Sequence, residues 1–175
     1  MNLKEYIRDV PDFPRKGILF RDITSLLEQP EAFREVIREM STKWRDKIDV
    51  ITALDARGFI FGGALSVELG VPLVLARKKG KLPGKTVSVS YGLEYGTDTL
   101  EMHADSLTSG MRVLVVDDLL ATGGTASAAC SLIEKLGAEV AGCAFVIELE
   151  GLGGRENLSK YQIQSLVRYT EETNE

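Results

Sequence analysis

The sequence predicts an α/β protein in which helices cover both faces of a mostly parallel sheet. Short apolar runs alternate with helical stretches along most of the chain. Two of the predicted helices are followed by a glycine, Gly70 and Gly137, the residue that commonly ends a helix. The run RVLVV at 112–116 is apolar without alternation, which is typical of strands buried on both faces of a parallel sheet.

The first half of the chain supplies two helices and two strands. A proline begins the helix predicted at 30–47, where its fixed φ suits the first turn. Apolar residues at helical spacing mark one face of that helix: Phe33, Val36, Ile37, Met40 and Trp44. The runs DVITAL at 49–54 and VPLVLA at 71–76 are typical of buried strands. The stretch FIFGGALSVEL at 59–69 is the helix predicted between them.

The second half continues with strands and one more helix. The stretch TVSVSY at 86–91 alternates like a two-faced strand, and TLEMH at 99–103 is its predicted hairpin partner. The strand at 112–116 leads to a helix at 125–136 and a further strand at 140–149. No repeat, low-complexity tract or linker interrupts this order. We therefore expect a single domain over 1–175, a length that suits one core.

Composition excludes several classes of function. The chain is 44% apolar and 27% charged with a net charge of −5, which argues against a general nucleic-acid binder. No apolar run is long enough to span a membrane, and the N-terminus lacks a signal core, so a cytoplasmic protein is expected. Cys130 and Cys143 lie in apolar segments and are expected to be buried, inert thiols. The single histidine, His103, argues against a zinc site.

The stretch VLVVDDLLATGGT at 113–125 carries the main chemical signal. Asp117 and Asp118 follow an apolar strand, at the sheet edge where α/β proteins bind ligands. The next helix starts directly after, so its free N–H groups form an anion site. The residues of this loop are small: Ala121, Thr122, Gly123, Gly124 and Thr125. A sugar phosphate fits both halves, since carboxylates accept hydrogen bonds from two hydroxyls while the loop holds the phosphate.

Geometry sets a condition on the two carboxylates. Adjacent strand residues point to opposite faces, so both can face one ribose only if the chain has left strand geometry at Asp118. Repulsion between the two charges would be offset by hydroxyl donors and a metal-bound ligand. The loop matches neither the GxxxxGK[ST] phosphate loop nor the GxGxxG dinucleotide fingerprint.

A second anion site and a basic stretch follow other strands. The turn LDARGF at 54–59 places Arg57 and Gly58 at a helix start, where they could form a small anion nest. The stretch RKKGKLPGK at 77–85 holds five cations in nine residues. Two anion sites and a cationic loop indicate a ligand with phosphates at two ends. Phosphoribosyl pyrophosphate (PRPP), with its 5-phosphate, ribose diol and 1-pyrophosphate, has this profile.

Several segments resemble the type I phosphoribosyltransferases, and in particular their adenine-specific branch. The stretch at 113–125 resembles the PRPP-binding signature of that family. Other segments resemble the adenine-specific branch: FPRKGILFRDIT (13–24), ARGFIFG (56–62), RKKGKLPG (77–84), YGLEYGTD (91–98) and GLGGRENL (151–158). The resemblance implies the type I fold with a small N-terminal hood of about residues 1–30. It also implies purine salvage by conversion of adenine and PRPP to AMP and pyrophosphate, with Mg²⁺, in a homodimer.

The resemblance also assigns roles in PRPP binding. Asp117 and Asp118 would bind the ribose hydroxyls, and the loop from Ala121 to Thr125 would hold the 5-phosphate. The pyrophosphate loop would be Asp55, Ala56 and Arg57, with Arg57 also catalytic. Neutralisation of pyrophosphate would fall to Arg77, Lys78 and Lys81. Mg²⁺ would be held by PRPP, pyrophosphate and water, with no direct protein ligand.

The same resemblance assigns further residues to base binding and to the chemical step. Phe20 and Leu119 would sandwich the adenine ring, while Leu19 and Arg21 would read its edge mainly through backbone groups. Glu94, in the loop that closes over the site, would be the acid–base residue. The chain departs from the family at two positions. Ala56 stands where many relatives carry serine, so backbone N–H groups must make that contact, and Lys16 stands where relatives often have proline.

Two other readings of the sequence remain open. One is a phosphoribosyltransferase for another base, such as hypoxanthine or xanthine. The other is a regulator that binds PRPP without catalysis. Such regulators usually carry an additional DNA-binding segment, and the stretch Met1 to Phe13 is too short for a helix-turn-helix.

Overall fold

A seven-stranded sheet forms the centre of the protein in a computed structural model that describes residues 1–93 and 96–170. Its strands are β3 (Val50–Leu54), β4 (Leu73–Lys78), β5 (Thr86–Leu93), β6 (Gly96–His103), β7 (Arg112–Leu120), β8 (Glu139–Leu149) and β9 (Ile163–Tyr169). The strand order is β5-β6-β4-β3-β7-β8-β9. From β4 to β9 neighbouring strands pair in parallel, and the β5–β6 hairpin adds an antiparallel edge.

Helices cover both faces of this sheet, as predicted. They are α1 (Thr24–Leu27), α2 (Pro30–Trp44), α3 (Gly58–Leu69), α4 (Gly124–Lys135) and α5 (Gly154–Asn157). One core cluster joins α2 and α3 to the sheet and includes the buried Trp44 and Phe61. The other joins α4 to the opposite face and includes the two thiols, Cys130 and Cys143, which are buried and free. None of the helices in the described ranges is long and apolar enough to cross a bilayer.

A two-stranded antiparallel hairpin, β1 (Arg8–Pro11) and β2 (Leu19–Asp22), makes up the hood. The pairing runs from Arg8 opposite Asp22 to Pro11 opposite Leu19. A short 3₁₀ helix, Leu3–Tyr6, precedes it, and its Leu3 is buried in the core. The hood is therefore attached to the main body through apolar packing, in the N-terminal region where it was expected.

Several element boundaries differ from the sequence expectation. The first long helix ends at Trp44 and not at residue 47, because the chain leaves helical geometry at Arg45 and Asp46 takes a φ of 62°. The strand predicted to end at residue 116 continues to Leu120, because β7 stays paired with β8 as far as Leu120 opposite Glu148. The glycines after α3 and α4 behave as predicted, with left-handed φ values of 67° at Gly70 and 86° at Gly137.

Candidate active site

The loop between β7 and α4 forms an anion cradle at the carboxyl edge of the sheet. Gly123 adopts a left-handed φ of 81°, which glycine takes without strain, and α4 begins at the next residue. The Gly124 N–H lies 3.4 Å from Thr122 Oγ1, so only a weak contact competes with an arriving anion there. The loop, Asp117 and Phe145 line a small cavity of about 100 Å³. All five predicted phosphate-binding residues, 121–125, therefore surround one space.

The two aspartates at the end of β7 share a basic partner. Arg57 Nε donates to Asp118 Oδ2 at 2.5 Å, and the Asp118 carboxylate is buried. The Asp118 N–H donates to Asp117 Oδ1 at 2.8 Å. Burial, followed by the neighbouring Asp118 charge, raises the pKa of Asp117 well above its usual range. The guanidinium of Arg57 thus offsets part of the like-charge repulsion, and this residue lies 61 positions away in the sequence.

The structure does not meet the predicted condition on strand geometry, that the chain leaves the strand at Asp118. Asp118 remains within β7, yet both carboxylates meet the same turn, the one that starts α3. A Cβ built on Gly58 would lie 2.9 Å from Asp117 Oδ1 and 2.8 Å from the Val116 carbonyl oxygen. Glycine is therefore required at this position, because α3 starts directly against the end of β7.

The turn between β3 and α3 holds the predicted pyrophosphate residues. The peptide between Asp55 and Ala56 is cis, and Arg57 directly precedes α3. Asp55 Oδ2 accepts a hydrogen bond from Arg77 Nε at 3.0 Å. The basic run predicted that Arg77 and Lys78 lie in a loop. They are instead the last two residues of β4, because that strand continues past residue 76.

The other two cations of the predicted set are placed differently. Lys78 Nζ lies 3.0 Å from Asp98 Oδ2 on β6, and this bond raises the pKa of Lys78 and lowers that of Asp98. Lys81 is exposed in the turn after β4 and its N–H donates to the Lys78 carbonyl oxygen at 3.2 Å. The structure therefore places Arg77 beside the Asp55 turn and leaves Lys81 facing solvent.

The hood holds three of the four predicted base-binding residues, Leu19, Phe20 and Arg21. The ring centroid of Phe20 lies 5.6 Å from the Arg57 guanidinium and 5.1 Å from the ring of Phe13. Leu19 is 43% exposed, and Leu119 on β7 is partly buried against the core.

Arg21 and Glu94 stand apart from this group. The Arg21 side chain pairs with Asp9 at 2.5 Å and lies over the Tyr169 ring, so only its backbone is available to a base. Glu94 lies outside the described residues. The structure thus brings Phe20, Arg57 and Asp118 together and holds the Arg21 side chain between Asp9 of the hood and Tyr169 of β9.

Sequence reasoning missed the residues that support the cradle. Asn157 Nδ2 donates to the Thr122 carbonyl oxygen at 2.5 Å, and Gly154 packs against the Ala121 carbonyl oxygen. Thr125 Oγ1 also lies 3.4 Å from the Tyr91 hydroxyl on β5. The glycine-rich stretch at 151–158 was the available signal, since a glycine cluster after a strand often marks close backbone contact.

This site, on this sheet, defines a phosphoribosyltransferase. The sequence matches the phosphoribosyl transferase domain family over residues 22–171, so the chain belongs to that family. Adenine phosphoribosyltransferase from Acetivibrio thermocellus is 52% identical over 171 residues, which cover 97% of this chain and all of that protein. Within the family, the chain belongs to the adenine phosphoribosyltransferases, as the resemblance implied.

Solved structures agree with the family and with the fold. Adenine phosphoribosyltransferase from Thermoanaerobacter pseudethanolicus has a TM-score of 0.92 and 49% identity, and the match covers 95% of this chain and 98% of that one. The enzyme from Saccharomyces cerevisiae, solved with an imino-altritol bisphosphate and adenine, has a TM-score of 0.88 and 39% identity. That match covers 94% of this chain and 96% of that one. The type I phosphoribosyltransferase fold is confirmed.

Proposed function

We propose that the residues at the ends of β3 and β7, with the hood, carry out the adenine phosphoribosyltransferase reaction. Adenine and PRPP give AMP and pyrophosphate, a step of purine salvage. The observation that carries the assignment is the end of β7, where Asp117 and Asp118 lead into the anion cradle while Arg57 contacts both Asp118 and Phe20. We also propose that the whole chain is one domain with a hood of about residues 1–30.

The cradle is assigned to the 5-phosphate and the carboxylates to the ribose. The free backbone N–H groups at the start of α4 can donate to an anion, and the positive end of the helix dipole also favours one there. Asp117 and Asp118 would accept hydrogen bonds from the 2- and 3-hydroxyls, and such charge-assisted bonds are worth about 1.5–3 kcal/mol each. These contacts fix the sugar so that the anomeric carbon faces the hood.

The turn of Asp55, Ala56 and Arg57 is assigned to pyrophosphate, with Arg77, Lys78 and Lys81 as further cations. Half of the Arg57 side chain is exposed, so its guanidinium can reach an oxygen of the leaving group while it stays beside Asp118. Positive charge aimed at the departing oxygens stabilises the transition state. Phe20 and Leu119 would hold the base, with Leu19 and Arg21 at its edge.

Mg²⁺ is proposed as the cofactor. In the two described ranges no group of three or more His, Cys, Asp or Glu side chains could hold a metal ion. Oxygens of pyrophosphate and water would hold the ion, which is the coordination that Mg²⁺ usually keeps with phosphates. When bound, the ion neutralises charge on the leaving pyrophosphate.

The chemical step is a displacement at the anomeric carbon. The adenine ring nitrogen forms a bond to that carbon, the bond from carbon to the pyrophosphate oxygen breaks, and the nitrogen loses its proton. Phe20 and the sugar contacts hold the two reacting atoms in line, which supplies much of the rate. Glu94 is proposed to accept the proton or to stabilise positive charge on the ribose.

A homodimer is proposed from the outer face of α3. The stretch FIFGGALSVEL is apolar on both faces, and a helix of this kind is usually covered on both. Ile60 is 40% exposed and Val67 is 85% exposed in the single chain. A second copy would cover these side chains, and C₂ pairs are the commonest oligomers. Light scattering should give twice the mass of the chain, and Ile60→Asp should shift the mass to that of the monomer.

A turnover assay separates the proposed reaction from its alternatives. Adenine, hypoxanthine and xanthine would be compared in parallel with PRPP and Mg²⁺. We expect AMP from adenine and little product from the other two bases. Turnover with another base would change the substrate assignment. If the protein binds PRPP but converts none of the three bases, the regulator would be favoured. Family membership also supports a cytoplasmic location, which cell fractionation would test.

A further inference from the structure

The phosphate cradle rests directly on the backbone of α5. A Cβ built on Gly123 would lie 3.1 Å from the Gly154 carbonyl oxygen and 3.4 Å from Asn157 Cβ. A Cβ built on Gly154 would lie 2.5 Å from the Ala121 carbonyl oxygen and 2.7 Å from Leu120 Cγ. Two backbone segments far apart in the sequence therefore touch, and the Leu120 side chain packs against the same contact. Any shift of α5 would be transmitted to the cradle.

Asn157 adds a polar contact at the same place. Its Nδ2 atom donates to the Thr122 carbonyl oxygen at 2.5 Å, within the loop assigned to the 5-phosphate. The peptide that joins Thr122 to Gly123 is trans, so its C=O and N–H point in opposite directions. Because Asn157 holds the C=O on its own side, the Gly123 N–H must point away from Asn157. A donor on the carbonyl also polarises the same peptide and strengthens its N–H as a donor.

The segment that carries Asn157 is itself anchored to the sheet. Arg155 donates from Nε and Nη2 to the two carboxylate oxygens of Glu148 on β8, at 2.6 and 2.8 Å. Glu148 is only 2% exposed and also accepts a hydrogen bond from Ser165 on β9. Paired bonds from an arginine to a buried carboxylate fix both position and orientation. Asn157 thus extends from a rigid support, although its own side chain is exposed.

We propose that Asn157 is a positioning residue, whose side-chain amide orients the Thr122–Gly123 peptide so that the Gly123 N–H donates to the 5-phosphate. The proposal rests on the assignment of residues 121–125 to that phosphate. It distinguishes asparagine from aspartate at this position. An aspartate has no N–H for the Thr122 carbonyl, and its negative charge would repel that carbonyl oxygen.

The experiment compares Asn157→Asp and Asn157→Ala with Glu156→Gln, a neighbouring exposed residue, as the matched control. Calorimetry measures the dissociation constant of AMP, and steady-state kinetics measure KM for PRPP and for adenine separately. We expect Asn157→Asp to weaken AMP binding and to raise KM for PRPP by about tenfold or more. Asn157→Ala should show a smaller effect in the same direction. KM for adenine should change by less than about twofold, because an exposed hydrogen bond under the cradle has no reason to affect the base.

The variant Gly124→Val tests the phosphate assignment separately from the role of Asn157. A Cβ at Gly124 has no neighbour closer than 3.7 Å, so the variant should fold, but its branched side chain would fill the cradle. Normal AMP affinity in Gly124→Val would overturn the phosphate assignment itself. If Gly124→Val loses AMP binding while Asn157→Asp binds AMP normally, only the role of Asn157 is overturned. Equal losses for PRPP and adenine, with a lower melting temperature, would also overturn it, since they indicate general destabilisation.

Discussion

The proposed phosphate end and the proposed base end of the site are built in different ways. The phosphate end consists of backbone groups at the start of α4, backed by the glycine contact with α5 and by Asn157. The proposed base end combines Leu119 of β7 with hood residues such as Leu19, which is 43% exposed. The first is formed mainly by backbone groups, whereas the second presents its side chains to solvent.

The difference follows from what each end must recognise. A phosphate needs several N–H groups with fixed directions, and reorienting backbone in the bound state would cost binding energy. An aromatic base needs flat apolar contact and a few edge contacts, which hood side chains can supply after the sugar is bound. We therefore expect changes at the phosphate end to act through PRPP, and changes at the base end to act through adenine.

The largest effect is expected from Gly154→Ala. The added methyl group would meet the Ala121 carbonyl oxygen and the buried Leu120, and neither can move without displacing the cradle. Since a displacement of about 1 Å can cost about 10²-fold in rate, we expect kcat/KM for PRPP to fall by roughly 10²–10³-fold. Gly63→Ala is the matched control, because a Cβ there has nothing within 4 Å. Near-normal kinetics in Gly154→Ala would show that the cradle is not held by α5.

The next largest effect is expected from Glu94→Gln. Glutamine keeps the shape of the side chain but cannot accept the proton of adenine. General base assistance acts in the transition state, so we expect the single-turnover rate to fall by about 10²-fold or more while AMP and PRPP still bind. Single-turnover measurement is needed because product release can limit steady-state rates. A single-turnover rate within a few-fold of the wild type would contradict this role of Glu94. Catalysis would then depend on substrate positioning and on stabilisation of the departing pyrophosphate.

A smaller effect is expected from Phe20→Ala, at the base end alone. Loss of ring stacking on a base typically costs about 1–3 kcal/mol. We therefore expect KM for adenine to rise by about tenfold, with KM for PRPP changed by less than about threefold. Phe13→Ala, which removes the ring that contacts Phe20 from the edge, should raise KM for adenine by a smaller factor and also leave KM for PRPP nearly unchanged. An equal rise in both KM values would contradict the separation of the two ends.

The smallest effect is expected on stability at low pH, where the Arg155–Glu148 pair that anchors α5 is lost. Burial would raise the pKa of Glu148, but hydrogen bonds from Arg155 and Ser165 lower it below its usual value. The ionised pair therefore stabilises the fold above the unfolded pKa of about 4.3, and this contribution is lost as pH falls through the lower folded value.

Glu148→Gln tests this pH dependence by thermal unfolding. At pH 7 its melting temperature should be about 3–6 °C below that of the wild type. The difference should shrink below about pH 4, where the wild-type carboxylate also becomes protonated. A difference that stays constant down to pH 3 would show that packing, and not the ion pair, is what the substitution removes.

The sequence predicted the phosphate end far better than its supports. The order of residues 113–125 determines a strand, a cradle and a helix start within one local segment, so all three could be predicted. The pair of Arg57 and Asp118 could not, because its members are brought together only by the parallel pairing of β3 with β7. For the same reason the aspartates suggested an early strand end, while pairing with β8 carries the strand to Leu120.

The short elements escaped prediction for a different reason. β1 and β2 have four residues each, too few to show an alternating pattern, and they pair only with each other. α5 is equally short and contains no apolar face. Its position depends on Arg155 and Glu148, whose pairing requires the tertiary fold.

The pairing of β3 with β7 also fixes the distance between the two proposed anion-binding loops. The turn after β3 and the cradle after β7 follow strands that pair directly, with Ala53 opposite Val116, and β7 continues beyond the end of β3 as far as Leu120. Substitutions or insertions in either loop can alter which groups are bound, but the hydrogen-bonded sheet keeps the spacing of the loop origins constant. If the two loops bind the two phosphate ends as proposed, the backbone itself selects the length of the ligand. A doubly anionic inhibitor would have to match that spacing, whatever base analogue it carried.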